Sequence, residues 1–466
     1  MESETKAARR VHCVVLAYPA QGHINPLLEF SKRLQHGGIS ITLVCTRFFC
    51  NKLQKLPDSN IAVETISDGF DNGGIDEAES QKINYYDRFR EVGTQTLIEL
   101  IEKLKRTGKP VDCIIYDSFL TWALEVSRKL GLLGVSFLTQ NLAVDCIYEH
   151  VNKGKLQLPL VKDEIISLPA WLSSLEPWDM PSFLYEYEPG NAVLDLVVGQ
   201  FSNIEKADWI LCNSFYELEI EVADWMRKIW PNLRTIGPTI PYKFLNNNND
   251  KLEDEEDYGF SVFRSSEECT KWLDNQPKQS VAFVSLGTLV SVSEEQMEEL
   301  AMGLTDSGIN FLWVVRESEE AKLPKDFPRK SLKGLVVSWC HQLKVLSHEA
   351  IGCFVTHCGW NSTLEALSLG VPTVAMPLWS DQRSNAKIIK DVWKIGVRSE
   401  FDEKGVVRRE ALKKSIWEIM KGERGIEVKS NAMKWKNLAA KAVNKGGSSW
   451  NNIEEFMDIL SHLKVN

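Results

Sequence analysis

Short runs of apolar, largely β-branched residues alternate with amphipathic segments through the first part of the chain. The first run, Val11–Tyr18, is followed by the polar turn Gln21–Pro26 and then by apolar residues at helical spacing as far as Leu34. A second apolar run covers Ile39–Thr46. Continuous apolar runs suit strands that are buried on both faces. This order therefore predicts a strand–helix–strand unit that begins a doubly wound parallel sheet.

The same alternation continues for about two hundred residues. We expect a helix from Tyr85 to about Arg106, and further strands at Ile61–Ile66, Val111–Tyr116, Gly134–Leu138, Ile210–Asn213 and Thr235–Ile236. Asp117 follows one of these strands, and His23 lies in the turn after the first run. Because the carboxyl ends of parallel strands meet at one edge of a sheet, His23 and Asp117 are predicted to lie on the same rim.

The composition changes after these strands. Residues 246–260 are mostly polar and acidic, which favours a solvated linker over a metal site, since no buried strand presents the carboxylates. A second series of strands and helices follows, with strands predicted at Val281–Ser285, Phe311–Val315, Leu335–Ser338 and Ile351–Thr356. We therefore predict an α/β protein in which two Rossmann-like doubly wound parallel-sheet domains, residues 1–245 and 261–445, face a cleft.

Composition and charge narrow the class of ligand. A chain of 466 residues with a formal charge of -10 is long enough for two cores and does not present the basic surface that nucleic acids require. Its ten cysteines include no CxxC pair, and no window of about 18 apolar residues or secretory signal occurs. We expect a cytoplasmic, monomeric protein without a membrane anchor, and a small ligand.

The densest polar pattern lies at residues 339–382. In its middle the apolar run Ile351–Thr356 ends at a glycine turn, and a helix with Asn361 and Ser362 as expected caps follows. Such a helix start directs backbone N–H groups and the positive end of the helix dipole outward. This arrangement predicts an anion site, most often one for phosphate.

The flanks of this turn add groups that suit the other parts of a nucleotide sugar. The ring of Trp339 can stack on a base, Gln342 can donate and accept hydrogen bonds, and Glu365 can accept from two ribose hydroxyls. Asp381 and Gln382, which follow another apolar run, suit the hydroxyls of a sugar. In order, the segment could hold a base, a ribose, a diphosphate and a hexose.

This segment resembles the C-terminal signature of the plant family 1 UDP-glycosyltransferases. The match includes six single residues and two runs: Trp339, Gln342, His357-Cys358-Gly359-Trp360-Asn361-Ser362, Glu365, Pro372, Pro377, Trp379 and Asp381-Gln382. The resemblance implies a GT-B fold whose last helix, about 446–466, returns to the N-terminal domain. It also implies an inverting transfer of glucose from UDP-glucose to a small apolar plant metabolite, without a cofactor or metal.

The resemblance also assigns roles to single residues. It implies that His23, in the setting Gln-Gly-His-Ile-Asn-Pro, is the general base and that Asp117 supports it. The donor would be held by both loops of the C-terminal domain, with Trp339 on uracil, Glu365 on the ribose and Gln382 favouring glucose. The complete expected donor set is Ser285, Thr288, Trp339, Cys340, Gln342, His357, Trp360, Asn361, Ser362, Glu365, Trp379, Asp381 and Gln382.

Other interpretations stay open at this point. Thr288 could be a plain turn residue and His23 a structural histidine. The aromatic stretch Leu168–Pro189 suits either core or an acceptor pocket, for which Tyr86, Phe119, Asn141, Met180 and Phe183 are candidates. A nicotinamide-dependent oxidoreductase is disfavoured because the first strand–helix turn lacks GxGxxG. A catalytically silent nucleotide-sugar binder is the other alternative.

The subgroup is indicated by two short segments. The run Ser338-Trp339-Cys340 and the loop Ile66–Asp71 resemble members that glucosylate carboxylic acids, thiohydroximates and terpenoid or steroid hydroxyls. His341 and Ser380 depart from the usual Pro and Ala of the family, and both neighbour donor contacts rather than make them. The resemblance therefore leaves the acceptor and its point of attachment undecided.

Overall fold

The computed structural model describes residues 9–52, 61–161, 168–245, 268–288 and 290–463. The predicted linker at 246–260 lies outside these ranges, so the linker and the acidic run within it stay predictions. The described residues form two separate parallel sheets, one on each side of that segment. Both sheets are covered by helices on their two faces, as the continuous apolar strands predict.

The first sheet has the strand order β3-β2-β1-β4-β5-β6-β7, and every neighbouring pair in it is parallel. Its two faces carry separate apolar clusters. The strands are β1 His12–Leu16, β2 Ser40–Thr46, β3 Ala62–Ile66, β4 Cys113–Asp117, β5 Leu133–Leu138, β6 Trp209–Cys212 and β7 Leu233–Thr235.

Ten helices precede the linker in the described chain, and the last of them packs in the apolar cluster on the second sheet. They are α1 Gln21–His36, α2 Arg47–Lys52, α3 Ile75–Gln81, α4 Tyr85–Arg106, α5 Trp122–Leu130, α6 Leu142–Asn152, α7 Ser182–Tyr185, α8 Ala192–Gly199, α9 Ile220–Ile229 and α10 Tyr242–Leu245. Single 3₁₀ turns occur at Ala170–Ser174, Pro177–Asp179, Ile204–Lys206 and Tyr216–Leu218.

The predicted helix at 85–106 is confirmed at both ends, and local chemistry explains why. The side chain of Asn84 accepts hydrogen bonds from the N–H groups of Tyr86 and Asp87, which satisfies donors that a helix start leaves unpaired. Three basic residues occupy the last turn, where they favour the negative end of the helix dipole.

The second sheet has the order β10-β9-β8-β11-β12-β13, again entirely parallel. Its strands are β8 Val281–Ser285, β9 Asn310–Val314, β10 Gly334–Val337, β11 Ile351–Thr356, β12 Thr373–Ala375 and β13 Gly396–Arg398. Its helices are α11 Glu268–Leu273, α12 Glu294–Ser307, α13 Gln342–Leu346, α14 Trp360–Leu369, α15 Gln382–Lys387, α16 Arg409–Met420 and α17 Arg424–Val443. A 3₁₀ turn covers Glu317–Lys322, and a π turn at Ile388–Val392 continues α15.

The strand order of each sheet reverses at one point, and this fixes where a ligand can bind. In the first sheet the reversal lies between β1 and β4, and in the second between β8 and β11. Loops on either side of such a reversal run in opposite directions and leave a crevice at the carboxyl ends of the strands. His23 follows β1 and Asp117 ends β4, whereas Thr288 follows β8 and His357 follows β11.

The last helix, α18 Ser448–His462, packs on the first sheet rather than on the second. Phe456 is buried against Phe30 and Trp209, and Glu455 forms an ion pair with Arg234. The described part of the C-terminal helix therefore lies on the N-terminal half. Among the described helices, none combines the length and the apolar character needed to cross a lipid bilayer.

Candidate active site

His23 and Asp117, which were predicted to lie on the same rim of the first sheet, are in direct contact. His23 lies in the first turn of α1, and its Nδ1 is 2.7 Å from Oδ2 of Asp117, which is completely buried at the end of β4. The other carboxylate oxygen, Oδ1, accepts a hydrogen bond from the N–H of Phe119. A carboxylate that accepts from Nδ1–H holds the proton on that nitrogen, so Nε2 is left as the basic atom.

Aromatic rings and one hydroxyl surround this histidine. The ring centres of Tyr18 and Phe119 lie 5.1 and 4.7 Å from that of His23, and Thr139 Oγ1 lies 3.2 Å from its Nδ1. Tyr86 interacts with Tyr18, and burial raises the pKa of Tyr18 well above its usual value. The tyrosine therefore stays neutral, and the base stands in a largely apolar wall.

The C-terminal half reaches this wall directly. Asn361, in the first turn of α14, donates a hydrogen bond from Nδ2 to the backbone carbonyl of Gly22, the residue before the base, at 2.7 Å. The base and the start of α14 therefore face one crevice. The two halves therefore face each other across the cleft that was predicted between the two sheets.

The start of α14 differs from the expectation that Asn361 and Ser362 are its caps. The helix begins at Trp360, its cap position is Gly359, and no side chain caps the N–H groups there. Asn361 and Ser362 lie inside the first turn instead. Because the first N–H groups of a helix have no carbonyl partner within the helix, this glycine start leaves them available to an anion.

Gln342, Ser362 and Glu365 form one connected hydrogen-bond group. The amide nitrogen of Gln342 donates to Ser362 Oγ at 2.9 Å and to Glu365 Oε2 at 2.7 Å. Trp339 precedes them, with its ring edge-on to His341 at 6.0 Å. The group fixes the Glu365 carboxylate beside the start of α14, as binding of a ribose next to a diphosphate requires.

His357 sits between two glycines that have no room for a side chain. A Cβ on Gly287 or on Gly359 would lie 2.6 or 2.5 Å from His357 Nε2. Burial lowers the pKa of His357 to about 4, so the ring is neutral at cellular pH. It can meet a diphosphate as a neutral hydrogen-bond donor, not as the cation that a phosphate site often uses.

The lowered pKa of His357 has a measurable effect on stability. The unfolded chain takes up a proton on this ring near pH 6.5, but the folded protein does so only near pH 4, so folding stability falls as the pH falls between these values. Between pH 7 and pH 5, the free energy of unfolding should fall by about 1 to 2 kcal/mol more for the wild-type protein than for the His357→Gln variant. Urea unfolding at both pH values measures it.

The matched comparison for this prediction is the wild-type protein under the same conditions. Burial raises the pKa of Asp381 to about 6, and a raised carboxyl pKa stabilises the fold as the pH falls, which is the opposite slope. Because this contribution is common to both proteins, their difference reports on His357 alone. Equal pH slopes for wild type and variant would contradict the prediction.

Ser285 and Thr288 lie at the end of β8 and in the turn after it. Ser285 is nearly buried, whereas Thr288 is exposed, with its carbonyl oxygen held by Arg316 at 2.6 Å. The hydroxyl of Thr288 thus stands on a turn that is anchored through its backbone. The expected contact of Thr288 with a diphosphate stays a prediction, and a plain turn residue stays the alternative.

The expected hexose residues come together after β12. Gln382 Oε1 accepts hydrogen bonds from the N–H groups of Leu378 and Trp379, each at 2.9 Å, so its amino group is the part left for a sugar. Asp381 is buried, and a protonated His23 would act against the rise in its carboxyl pKa. The two side chains are thus within electrostatic reach of each other across the cleft.

Two of the expected donor residues use their side chains elsewhere. The indole of Trp360 is buried between the halves of the protein and donates to the carbonyl of Asn213 at 2.8 Å. The thiol of Cys340 is buried in an apolar cluster and contacts Cys269. Only the backbone of these residues is left for a donor, because apolar neighbours take up both side chains.

The acceptor candidates divide into two sets. Phe119 lies beside His23, Tyr86 interacts with Tyr18, and Phe183 packs edge-on against Trp379 at 5.0 Å across the cleft. Asn141 and Met180 are both completely buried, and a place for either in an acceptor pocket stays a prediction. Asn141 caps α6 by accepting from the N–H of Val144, and Met180 lies in the core.

Sequence reasoning missed residues that complete the site. Tyr18 and Thr139 both follow strands of the first sheet, so the rule that placed His23 and Asp117 could also have found them. Asn385, which binds Asp381 and Cys358, carries no such signal, since it lies inside a helix. The same holds for Ser182, whose hydroxyl accepts from the N–H of Ser380 at 2.7 Å.

Fold and site together define a class: a group-transfer enzyme with two Rossmann-like domains, a His–Asp pair on one and an uncapped helix start that suits an anion on the other. Sequence and structure comparisons agree. The family described as UDP-glucoronosyl and UDP-glucosyl transferase matches residues 264–440. Mogroside I-E synthase of Siraitia grosvenorii is 44% identical over 453 residues, covering 96% of this chain and 98% of its own.

Two further relatives extend the agreement to structure. A flavonol 7-O-beta-glucosyltransferase of Arabidopsis thaliana is 43% identical over 96% of this chain and 98% of its own. Os79 of O. sativa in complex with UDP has a TM-score of 0.89 and 38% identity, over 96% of this chain and all of its own. The chain belongs to the plant family 1 UDP-glycosyltransferases and has their GT-B fold. Membership excludes the nicotinamide-dependent oxidoreductase considered above.

Proposed function

We propose that the protein is a cytoplasmic, monomeric, inverting UDP-glucosyltransferase that transfers glucose to a hydroxyl or carboxyl group of a small apolar plant metabolite. The observation that carries the proposal is the bridge from Asn361 to Gly22, because it brings the helix start that suits a diphosphate next to the base. Residues 1–245 would hold the acceptor and residues 261–445 the donor.

In this proposal, UDP-glucose binds along the carboxyl ends of the strands of the second sheet. Uracil stacks on Trp339, the ribose hydroxyls bind Glu365, and the diphosphate takes the free N–H groups at the start of α14 with Ser362, His357, Ser285 and Thr288. A helix start is equivalent to about half a positive charge, so the leaving diphosphate is stabilised without a metal. The backbones of Cys340 and Trp360 would add to these contacts.

Transfer itself needs one proton acceptor and one displacement. Nε2 of His23 takes the proton of the acceptor hydroxyl, whose oxygen attacks the anomeric carbon while the bond to UDP breaks on the opposite face. Asp117 holds the ring and stabilises the imidazolium. A single displacement converts an α-linked donor into a β-glucoside. The beta-glucosyltransferase named among the relatives supports this stereochemistry.

Glucose is proposed as the sugar because of Gln382 and the relatives. Asp381 and the free amino group of Gln382 face the hexose site, and Trp379 covers it. Os79 has been crystallised with UDP and deoxynivalenol-3-glucoside. The acceptor class rests on the wall formed by Tyr18, Phe119 and Tyr86, which offers flat apolar contact and little charge.

The test is a transfer assay with UDP-glucose and UDP-galactose against flavonol, carboxylic acid, triterpenoid and trichothecene acceptors, with products read by mass spectrometry. We expect turnover with UDP-glucose to exceed that with UDP-galactose at least about tenfold, a difference of about 1.4 kcal/mol in the barrier. The coupling constant of the anomeric proton reports the configuration. No turnover with any acceptor would identify a silent nucleotide-sugar binder, and an α-product would refute inversion.

A further inference from the structure

Asn385 lies at the point where the two halves of the protein and the two parts of the donor site meet. It is completely buried in α15, and it makes three hydrogen bonds. Its Nδ2 donates to Asp381 Oδ2 and to the carbonyl of Cys358, both at 2.8 Å. Its Oδ1 accepts from Nδ2 of Asn141, on the N-terminal half, at 2.6 Å.

The partners fix the orientation of the Asn385 amide. A carboxylate and a backbone carbonyl can only accept hydrogen bonds, so the amino group has to face Asp381 and Cys358. The carbonyl oxygen is then left for Asn141. Asn141 cannot turn its own amide over without loss, because its oxygen caps α6 through the N–H of Val144.

Both acceptors on the second sheet belong to the donor site. Asp381 is the carboxylate proposed to bind the hexose. Cys358 has a φ of +67°, a left-handed conformation that is unfavourable for a residue with a side chain, directly before the glycine that starts α14. A hydrogen bond to its carbonyl holds this turn, and with it the N–H groups proposed to bind the diphosphate.

We infer that Asn385 is a positioning residue for the donor: it sets the Asp381 carboxylate against the turn at Cys358 and ties both, through Asn141, to the half that carries His23. This inference rests on the proposed function, since it takes the contact between Asp381 and the hexose from there. Asn385 itself touches neither substrate. Its effect on the hexose has to pass through Asp381.

The readout is therefore the ratio of the dissociation constants of UDP-glucose and UDP. UDP lacks the hexose, so any loss of general folding or of the turn at Cys358 weakens both ligands. A displaced Asp381 weakens UDP-glucose further. Loss of a hydrogen bond to a charged group weakens an equilibrium constant by about 10- to 150-fold. We expect Asn385→Ala to raise the ratio at least about tenfold over wild type, measured by calorimetry at pH 7.5.

A double-mutant cycle separates action through Asp381 from a direct effect. If Asn385 acts through this carboxylate, Asn385→Ala should change the ratio by less than about twofold in an Asp381→Ala background, because the group it positions is gone. Equal effects of Asn385→Ala with and without Asp381 would overturn the inference. So would an unchanged ratio in the single variant.

Ser384 provides the matched control. It is the neighbouring residue on α15, it is buried, and its hydroxyl makes one hydrogen bond to the other half, to the carbonyl of Asp179 at 2.8 Å. Ser384→Ala should leave the ratio within about twofold of wild type. A rise equal to that of Asn385→Ala would mean that any lost contact between the halves has this effect, and would overturn the inference.

A second variant covers the case in which Asn385→Ala does not fold. Asn141→Asp keeps the oxygen that caps α6 but replaces the donor to Asn385 by an acceptor. This variant should also raise the ratio. An unchanged ratio would show that Asn141 and its contact between the halves have no part in positioning Asp381. A wild-type protein that binds UDP but no UDP-glucose would refute the proposed function itself, before any variant is compared.

Discussion

Replacing His23 by Ala is expected to reduce turnover with hydroxyl acceptors by about 10² to 10⁴-fold, which is the usual contribution of a general base. The affinity for UDP should change by less than about twofold, since His23 stands on the acceptor side of the cleft. Initial rates with UDP-glucose and a hydroxyl acceptor, together with calorimetry for UDP, measure both quantities.

The control for this variant is His36→Ala. His36 lies at the other end of the same helix, and its Nδ1 bonds to the carbonyl of Lys32 within that helix. It should keep full activity. A His23→Ala protein that retained more than about a tenth of wild-type turnover would remove His23 from the role of base, because the barrier would have changed by under about 1.4 kcal/mol.

Acceptors that are already ionised provide an internal comparison. A carboxylate has no proton to lose, so His23→Ala should reduce its glucosylation much less than that of a hydroxyl. Equal losses for the two acceptor types would show that the ring acts through binding or packing instead of proton transfer.

The second large effect is expected for Asp117→Asn. The amide can still accept from Nδ1–H, but it can equally turn its NH₂ toward Nδ1, and then the ring carries its proton on Nε2 and cannot act as a base. The charge that stabilises the imidazolium is also lost. We expect a fall in kcat of about 10² to 10⁴-fold with little change in the KM of the donor.

Asp208→Asn is the matched control. Asp208 Oδ2 accepts from the N–H of Gly134 at 2.8 Å, at the amino edge of the same sheet and away from the cleft. This variant should keep kcat within about twofold of wild type. If Asp117→Asn lost no more activity than Asp208→Asn, the carboxylate would have only a structural role.

The sheets were predictable because their strands are buried on both faces. Val11–Tyr18 and Val281–Ser285 are continuous apolar runs, and both become central strands, β1 and β8. The last strand, β13, was not predicted, since three residues at a sheet edge make too short a pattern. Helix α6 was missed, and in it both apolar and polar residues are buried from Leu142 to His150, so polarity does not mark an exposed face.

The site was predictable to the extent that it consists of strand ends. His23 and Asp117 meet because β1 and β4 are adjacent, and adjacency follows from the doubly wound order. Contacts between the two halves cannot be predicted from the spacing of residues in the sequence. The bond between Asn141 and Asn385 joins residues that are 244 positions apart, and nothing in the local pattern around either residue indicates it.

The return of α18 to the first sheet has a mechanical consequence. The described chain passes from the first half to the second after β7 and returns to the first half before α18, so it connects the two halves at two places. Arg33 secures one crossing through the carbonyls of Ile236 and Ile240, and Ser449 secures the other through that of Gly237. Any separation of the two halves has to leave both of these crossings in place.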